Sequence, residues 1–352
     1  MDPLTHTLLG ASTCQAFYSH KLSRKSIVLG ALAATLPDLD TLAGVFYGSF
    51  VGLVAHRGPT HSLWFPFVTG PLLGYLIWRW YGKSNAQNSL SLKHWMGMFS
   101  LTILSHPLLD VCTSYGTQLL APFSNHRFAI DAIAVIDPLY TLILFISVVV
   151  GLWACSTHQQ KFTLARRTAC VALILSTAYI FYGRILNQKA EQLATTALIS
   201  QDNKAWKVQA YPTLLQLYYR RIVAHSKQTV CVGYVTLWKN SKVTWHCEEQ
   251  ANDPKIDLVR NTPEGQIFEW FSMCMTFAAL KHEKDYSLVQ IYDLRYGFDR
   301  PHESMWSIQA KVSAQNQLLS PVIYQESQFT KVAMWDYLKQ MWLNAFYSNS
   351  TS

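Results

Sequence analysis

Histidine and aspartate recur together in four short motifs within the first 110 residues, and both residue types bind divalent metals through nitrogen or oxygen. The motifs are DPLTH at 2–6, PDLD at 37–40, HRGPTHS at 56–62 and SHPLLD at 105–110. The six candidate metal ligands in them are His6, Asp38, His56, His61, His106 and Asp110. The last two are four residues apart, a spacing that places both on one face of a helix. The motifs therefore predict a divalent-metal site.

Three further polar residues have predicted roles beside the metal. Asp38 and Asp40 cannot both face one way from a helix, so we expect Pro37 to interrupt it. Asp38 would then bind the metal, while Asp40 acts as a general base or orients a histidine ligand. Arg57 and Arg127 are candidate contacts for a phosphate or carboxylate, because a guanidinium donates two parallel hydrogen bonds.

Apolar segments of about the length that crosses a bilayer must position these motifs. Six membrane helices are predicted, over 4–18, 26–46, 62–81, 95–120, 138–155 and 168–186. Nine Lys/Arg lie in one set of connecting loops and three in the other, so the first set is expected to be cytoplasmic. All four motifs then fall on the outer side of the membrane, where they can meet.

The second half of the chain has a different composition. No Glu occurs before Glu191, whereas residues 187–352 hold fifteen Asp/Glu and seventeen Lys/Arg. Runs that alternate apolar and polar residues occur at 206–211, 229–238, 242–247, 286–296 and 305–312, and a helical pattern covers 331–346. We therefore predict a helical membrane domain over 1–186 and an extracytoplasmic α+β domain with an antiparallel sheet over 187–352.

Several protein classes are disfavoured by what the sequence lacks. No cluster of Lys/Arg resembles a nucleic-acid-binding arm. Neither HExxH nor GxSxG occurs, which argues against a zincin protease and a serine hydrolase. The seven cysteines form no CxxC pair, so a thiolate metal site is not indicated; Cys231 and Cys247 flank a possible hairpin and could pair in an oxidising compartment.

The motifs, in their order, resemble those of the LexA-regulated, membrane-bound predicted metal-dependent hydrolases. The similar stretches are THTLLG at 5–10, PDLD, HRGPTHS, SHPLLDVCTSYGTQLLAPFS at 105–124 and the RF-to-DP segment at 127–138. The resemblance covers residues 1–186 and is weaker beyond them, where it rests on a strand at 292–296. It implies a bacterial inner-membrane hydrolase that uses a divalent metal.

The ligand set and its expected position lead to a hypothesis about the reaction. Nitrogen and oxygen ligands suit zinc first, with manganese or iron as alternatives, and six candidate ligands would suffice for one or two ions. The expected reaction is hydrolysis of a phosphoester or ester bond, in a lipid or lipid-linked substrate, by metal-activated water.

Two alternatives use the same residues without hydrolysis. Histidines and carboxylates within membrane helices also line ion and proton paths, so a metal or proton transporter or sensor is the main alternative. The inner halves of the second to fourth predicted helices carry few ionisable groups, which favours a one-sided site. The other alternative is an outer domain that binds a protein or cell-wall partner, beside a structural metal.

Overall fold

The chain forms two compact units. The computed structural model describes residues 1–82, 90–157, 161–201, 205–238 and 243–326, together with 335, 337–339 and 341–344. The first unit consists of Met1–Phe46 and Ala55–Gly183. The second consists of Tyr47–Val54 and Arg184–Ser352.

The first unit is helical. The helices before the sheets are α1 (Pro3–Leu22), α2 (Arg24–Ala34), α3 (Leu42–Tyr47), α4 (Ser49–Ala55), α5 (Phe65–Ile77), α6 (Leu92–Asp110), α7 (Pro138–Ala154) and α8 (Phe162–Gln201). Of these, α4 belongs to the second unit except for Ala55, and α8 continues into the second unit. Short 3₁₀ helices at Pro37–Thr41 and Pro59–His61 connect α2 to α3 and α4 to α5. The predicted interruption at Pro37 is confirmed, because α2 ends at Ala34.

The prediction of six membrane helices was wrong. Among the described residues, two stretches are long and apolar enough to cross a membrane, Arg24–Tyr47 and Phe162–Ile199. The apolar helix α7 is shorter, and α5 has only 13 residues. The segment predicted over 95–120 is helical only to Asp110 and then becomes a loop. The apolar composition of these segments does not show where the backbone leaves the helix.

Helices α1 and α2 approach closely because both have glycine at the contact. A Cβ atom on Gly10 would lie 2.3 Å from Cβ of Ala34 and 2.5 Å from the carbonyl oxygen of Gly30. A Cβ on Gly30 would lie 2.4 Å from the carbonyl oxygen of Gly10. These distances leave no room for a larger residue, so the helix backbones meet directly. This contact fixes the end of α2, from which the PDLD motif begins.

The second unit contains two four-stranded antiparallel sheets, which confirms the predicted antiparallel fold. The first has the order β1 (Lys207–Pro212), β2 (Tyr219–His225), β3 (Thr229–Thr236) and β4 (Thr244–Glu249). Helices α9 (Pro254–Arg260) and α10 (Pro263–Phe271) follow. The second sheet has the order β5 (Thr276–His282), β6 (Ser287–Asp293), β7 (Trp306–Val312) and β8 (Ile323–Glu326).

Side chains from both sheets share a core. Val223 and Val232 of the first sheet belong to the same buried cluster as Phe277 and Leu294. Cys231 lies directly opposite Cys247 in the register of β3 and β4, and the two form a disulfide. The sequence patterns missed β2, β5 and β8. Of the helix predicted over 331–346, the described residues are helical and the others lie outside the described part of the chain.

Candidate metal centre

The site is assembled from the ends of helices. Asp38 lies in the 3₁₀ helix that follows α2, and His61 ends the 3₁₀ helix that precedes α5. His106 and Asp110 occupy the last turn of α6. Residues separated by up to 72 positions in sequence therefore converge, and each is held on regular backbone rather than on a free loop.

Four donor atoms of these residues form a compact group. The Nε2 atoms of His61 and His106 are 3.0 Å apart. Oδ1 of Asp38 lies 3.5 Å and 3.4 Å from these two nitrogens, and Oδ2 of Asp110 lies 3.2 Å and 3.4 Å from them. A tetrahedron around zinc with bonds of about 2.05 Å has edges of about 3.3 Å. The distances between the four atoms thus fit the coordination sphere of one tetrahedral ion.

The hydrogen bonds of the two histidines orient their lone pairs toward this group. Nδ1 of His106 lies 2.6 Å from the carbonyl oxygen of Ala34, which only accepts, so Nδ1 carries the proton. Nδ1 of His61 lies 3.0 Å from Oδ2 of Asp40, which also accepts. In the neutral rings both Nε2 atoms then present lone pairs to each other. Two lone pairs at 3.0 Å do not form a hydrogen bond, whereas a cation beside both satisfies them.

Burial strengthens the case for a cation. The side chains of His61 and His106 are 0% exposed and that of Asp110 is 1% exposed, whereas that of Asp38 is 18% exposed. Oδ2 of Asp110 has no hydrogen-bond donor among the described residues. A buried carboxylate oxygen without a donor is unfavourable, and a metal ion would compensate it. These residues therefore fit a divalent metal, and the site is least buried on the side of Asp38.

Asp40 accepts hydrogen bonds rather than facing the donor group. Its Oδ1 accepts from Nδ1 of His56 at 2.8 Å. Its Oδ2 accepts from the backbone N–H of Arg57 at 3.1 Å and from Oγ1 of Thr60 at 2.6 Å, in addition to Nδ1 of His61. Carboxylates in this position fix the ring orientation of a metal-binding histidine. Of the two roles predicted for Asp40, the geometry favours orientation over general base.

The side chain of Arg57 is directed into the site and contacts other residues of the protein. Its side chain is 3% exposed, and Nη2 lies 2.9 Å from Oδ1 of Asp110. Nη1 donates to Oγ1 of Thr113 at 2.9 Å and to the backbone oxygen of Asp110 at 3.3 Å. The guanidinium also stacks 4.5 Å from the ring centroid of Tyr115. The predicted contact with a substrate anion stays a prediction, and the contacts that the structure shows for Arg57 lie within the site.

His6 lies beside the donor group without completing the tetrahedron. Its ring stacks on that of His106 with centroids 3.5 Å apart, and its Nε2 is 3.1 Å from Oδ1 of Asp110. The amino group of Met1 contacts the same oxygen. His6, His106 and Asp110 form a second possible ligand group, which shares two members with the first. Asp2 caps α1 by accepting from the backbone N–H of Thr5, and His6 is buried in the same turn of this helix.

The structure places His56 outside both possible ligand groups. Its Nδ1 is used by Asp40, and its ring packs edge-on against those of His61 and Tyr115, with centroids 5.7 Å and 5.3 Å away. Its side chain is 23% exposed. Two histidines around Gly58–Pro59 suggested convergence on one ion, but the backbone turn directs this one to Asp40.

Arg127 supports the loop that follows α6. Its Nη2 donates to the backbone oxygens of Tyr115 and Gly116 at 3.0 Å and 2.9 Å. The residue is 4% exposed and its guanidinium lies 5.3 Å from the ring centroid of Tyr115. Arg127, a predicted anion contact, is therefore buried and donates to backbone carbonyls in the structure.

Some functional residues had no clear signal in the sequence. Thr60, Thr113 and Tyr115 lie within the recognised motifs but had no predicted role. The Ala34 carbonyl that orients His106 has no side-chain signal at all. Asp137 caps α7 by accepting from the backbone N–H of Tyr140. Tyr179 donates to both its carboxylate oxygens.

Comparisons with known proteins place this chain among bacterial membrane proteins. Over 130 residues it is 32% identical to the inner membrane protein YbcI of Escherichia coli (strain K12), covering 36% of this chain and 69% of YbcI. Over 145 residues it is 26% identical to the uncharacterized protein YfhP of Bacillus subtilis (strain 168), covering 39% of this chain and 42% of YfhP. No solved structure matches. The profile of the YdjM inner membrane protein family matches residues 1–190, which include every residue of the candidate centre. The chain therefore belongs to the YdjM inner membrane protein family.

Proposed function

We propose that this inner membrane protein is a metal-dependent hydrolase with one divalent ion in the first unit. The observation that carries the proposal is the mutual spacing of Nε2 of His61, Nε2 of His106, Oδ1 of Asp38 and Oδ2 of Asp110, at 3.0–3.5 Å in each measured pair. Two imidazoles and two carboxylates in a tetrahedral arrangement suit zinc, whereas manganese prefers more oxygen ligands and higher coordination.

One ion is favoured over two. A second ion next to His6 would have to share Oδ1 of Asp110, but the guanidinium of Arg57 lies 2.9 Å from that oxygen. A second metal ion bound to this oxygen and the guanidinium would therefore lie close together, and two neighbouring cations repel each other strongly in a buried site. We therefore assign His6 to packing against His106 and to the hydrogen bond with Asp110, and the metal to the tetrahedral group.

The chain's own residues divide the chemistry between them. When bound, the metal would polarise the ester or phosphoryl oxygen of the substrate and would activate a water that takes the coordination position of Asp38, because a catalytic ion needs one position that the protein leaves open. His61, His106 and Asp110 hold the ion on the buried side. Asp38 is the most exposed of the four, and its Oδ2 has no hydrogen-bond partner among the described residues. We propose that Oδ2 of Asp38 accepts the proton of the attacking water, a role that Asp40 cannot take while four donors contact it.

A lipid or lipid-linked ester or phosphoester is the proposed substrate. Large apolar side chains are exposed within or shortly after the site motifs: Leu39, Phe46, Trp64 and Phe123. The rings of Trp64 and Phe123 pack edge-on with centroids 5.9 Å apart. Exposed apolar side chains in a membrane protein face acyl chains, so a substrate with such chains would be held beside the metal centre.

The test begins with metal content. We expect about one zinc ion per chain in detergent-purified protein, and loss of that ion in the His61→Ala, His106→Ala double variant. A matched control is His20→Ala, His94→Ala, which removes exposed histidines from the same region, one in α1 and one in α6. This control should keep the ion.

Activity is then measured as phosphate or fatty-acid release from phosphatidic acid, a polyprenyl diphosphate and a glycerolipid ester. Release that requires zinc and is lost in the His61, His106 variant supports the hydrolase. Stoichiometric zinc with no release from any of these lipids contradicts it. Zinc flux into proteoliposomes under the same conditions would instead favour a transporter.

A further inference from the structure

Arg57 has an unusual backbone conformation for its residue type. Its φ is +58°, in the left-handed region that non-glycine residues rarely adopt. This conformation is strained for a residue with a Cβ atom and persists where its surroundings determine it. Its neighbours in sequence are His56 and Gly58, so the glycine that could adopt this conformation without cost is one position later.

This conformation lets one residue contact two carboxylates of the site. The backbone N–H of Arg57 donates to Oδ2 of Asp40 at 3.1 Å. Its side chain extends the opposite way, to Oδ1 of Asp110 at 2.9 Å. Its carbonyl oxygen accepts from the backbone N–H of Gln118 at 3.0 Å, which ties it to the loop after α6. The left-handed turn thus directs backbone and side chain to different partners.

The contact with Asp110 restricts how that carboxylate can bind a metal. Oδ1 is held by a charge-assisted hydrogen bond from the guanidinium, so only Oδ2 faces the two Nε2 atoms. Without the guanidinium, Oδ1 would keep only its contacts with Nε2 of His6 and the Met1 amino group, and the carboxylate could turn more easily to offer both oxygens. A carboxylate that binds through two oxygens raises the coordination number above four.

We propose that Arg57 is a positioning residue for the metal centre. Through Asp110 it enforces one-oxygen coordination, and through Asp40 it fixes the orientation of His61. This proposal rests on the proposed metal-dependent function, and it replaces the substrate-binding role that the sequence suggested for Arg57. A neighbouring arginine provides a comparison, because Arg127 stacks on the same Tyr115 ring but donates to backbone oxygens.

The experiment compares Arg57→Gln, Arg57→Lys and Arg127→Gln in the full-length protein. Zinc affinity is measured by competition with a chromogenic chelator, and the visible spectrum of the cobalt-loaded protein reports the coordination number. We expect Arg57→Gln to bind zinc about 10- to 100-fold more weakly, the usual effect of removing a residue that orients a metal ligand. Its cobalt bands should lose intensity as coordination rises above four. Arg57→Lys, which keeps the charge, should restore part of the affinity, and Arg127→Gln should match the wild type.

Each outcome discriminates. Weaker zinc binding and an altered cobalt spectrum in Arg57→Gln, with both unchanged in Arg127→Gln, support the proposal. Wild-type affinity and spectrum in Arg57→Gln overturn it while leaving the metal centre intact. If both glutamine variants lose zinc affinity equally and their melting temperatures fall in parallel, the effect is general destabilisation and the proposal is also overturned. If Arg57→Gln does not fold, zinc affinity and the cobalt spectrum of Arg57→Lys decide instead. Absence of any divalent metal from the wild type removes the proposed function itself.

Discussion

Asp38 and Asp40, two residues apart, have different surroundings although they share a residue type and a motif. Oδ1 of Asp38 faces the two imidazole nitrogens, while the oxygens of Asp40 accept from four donors. Their side chains diverge because the 3₁₀ helix at Pro37–Thr41 turns about 120° per residue, so positions two apart lie on different faces. At this scale, function depends on which atoms each carboxylate meets.

We predict that Asp40→Asn weakens zinc binding about 10- to 100-fold, because the amide pairs less strongly with the Nδ1 proton of His61. The measurement is the same chelator competition. Asp137→Asn is the matched control, since this buried carboxylate caps α7 and contacts no ligand of the proposed centre in the described structure. It should lower the melting temperature without changing zinc affinity. Equal zinc affinity in Asp40→Asn and the wild type would contradict the orienting role.

A histidine outside the membrane region predicts a pH dependence of stability. Burial, with a smaller effect from the charge of Lys207, lowers the pKa of His225 in β2 to about 4. The unfolded chain, with a His pKa near 6.5, then binds more protons than the folded chain between these values. Stability of the second unit should therefore fall as pH decreases from about 6.5 to about 4, by up to about 3 kcal/mol.

The measurement is thermal unfolding of the full-length protein in detergent across this pH range, followed by the loss of β-sheet signal. His225→Gln should flatten the dependence, and His246→Gln, which removes an exposed histidine of β4, should preserve it. The same pH slope in His225→Gln and the wild type would show that other groups are responsible.

At the scale of elements, the contact between α1 and α2 supports the ligand histidine on α6. Gly10 and Gly30 let the two backbones touch, and Gly10 lies against Ala34 at the end of α2. The carbonyl of Ala34 in turn accepts from Nδ1 of His106. A shift of α2 away from α1 would therefore move both that carbonyl and the PDLD motif that follows it.

Gly30→Ala should separate the two helices, because its Cβ would lie 2.4 Å from a backbone oxygen and 2.7 Å from Cβ of Cys14. We expect a loss of about 1–3 kcal/mol in unfolding free energy and weaker zinc binding. Gly97→Ala in α6 is the control, since its Cβ would have its nearest neighbour at 3.8 Å, the hydroxyl of Tyr18. This variant should gain about 0.5–1 kcal/mol from helix propensity. Wild-type stability in Gly30→Ala would show that the helices can separate without cost.

At the scale of the whole molecule, the second unit has the features of a domain outside the cytoplasm. It holds the Cys231–Cys247 disulfide, a bond typical of oxidising compartments. The segment Tyr47–Val54 also belongs to this unit, and the ring of Phe50 packs edge-on with that of Tyr324 at 6.2 Å. We propose that this unit lies outside the cytoplasm.

The prediction is that a membrane-impermeant maleimide labels Cys274 in intact spheroplasts, because this exposed thiol lies in the second unit. Lys21→Cys in a Cys274→Ser background places a thiol at the end of α1, in the predicted cytoplasmic loops. It should be labelled only after permeabilisation. The reverse pattern would invert the proposed orientation.

The sequence alone was enough to predict which polar residues meet and the class of each half. Histidines and aspartates at short spacing, within apolar stretches that lack Glu, predicted residues that the structure brings together as a group able to hold a metal, because buried charge in a membrane region requires a partner. Alternating apolar residues predicted the antiparallel sheets, because side chains of a strand alternate between faces. Pro37 marked the break after α2, because proline lacks the N–H that a helix requires.

Only the tertiary structure decided which atoms meet. His56 and His61 are equivalent in the motif, but the turn at Arg57 directs the first to Asp40 and the second to His106. The charge of Arg57 and Arg127 predicts anion contacts, but only the structure shows their partners within the protein, which are a carboxylate for Arg57 and backbone carbonyls for Arg127. The number of membrane helices was overestimated for a related reason, since hydropathy does not show where a backbone leaves the helix. Long-range contacts fix these directions, and no local pattern encodes them.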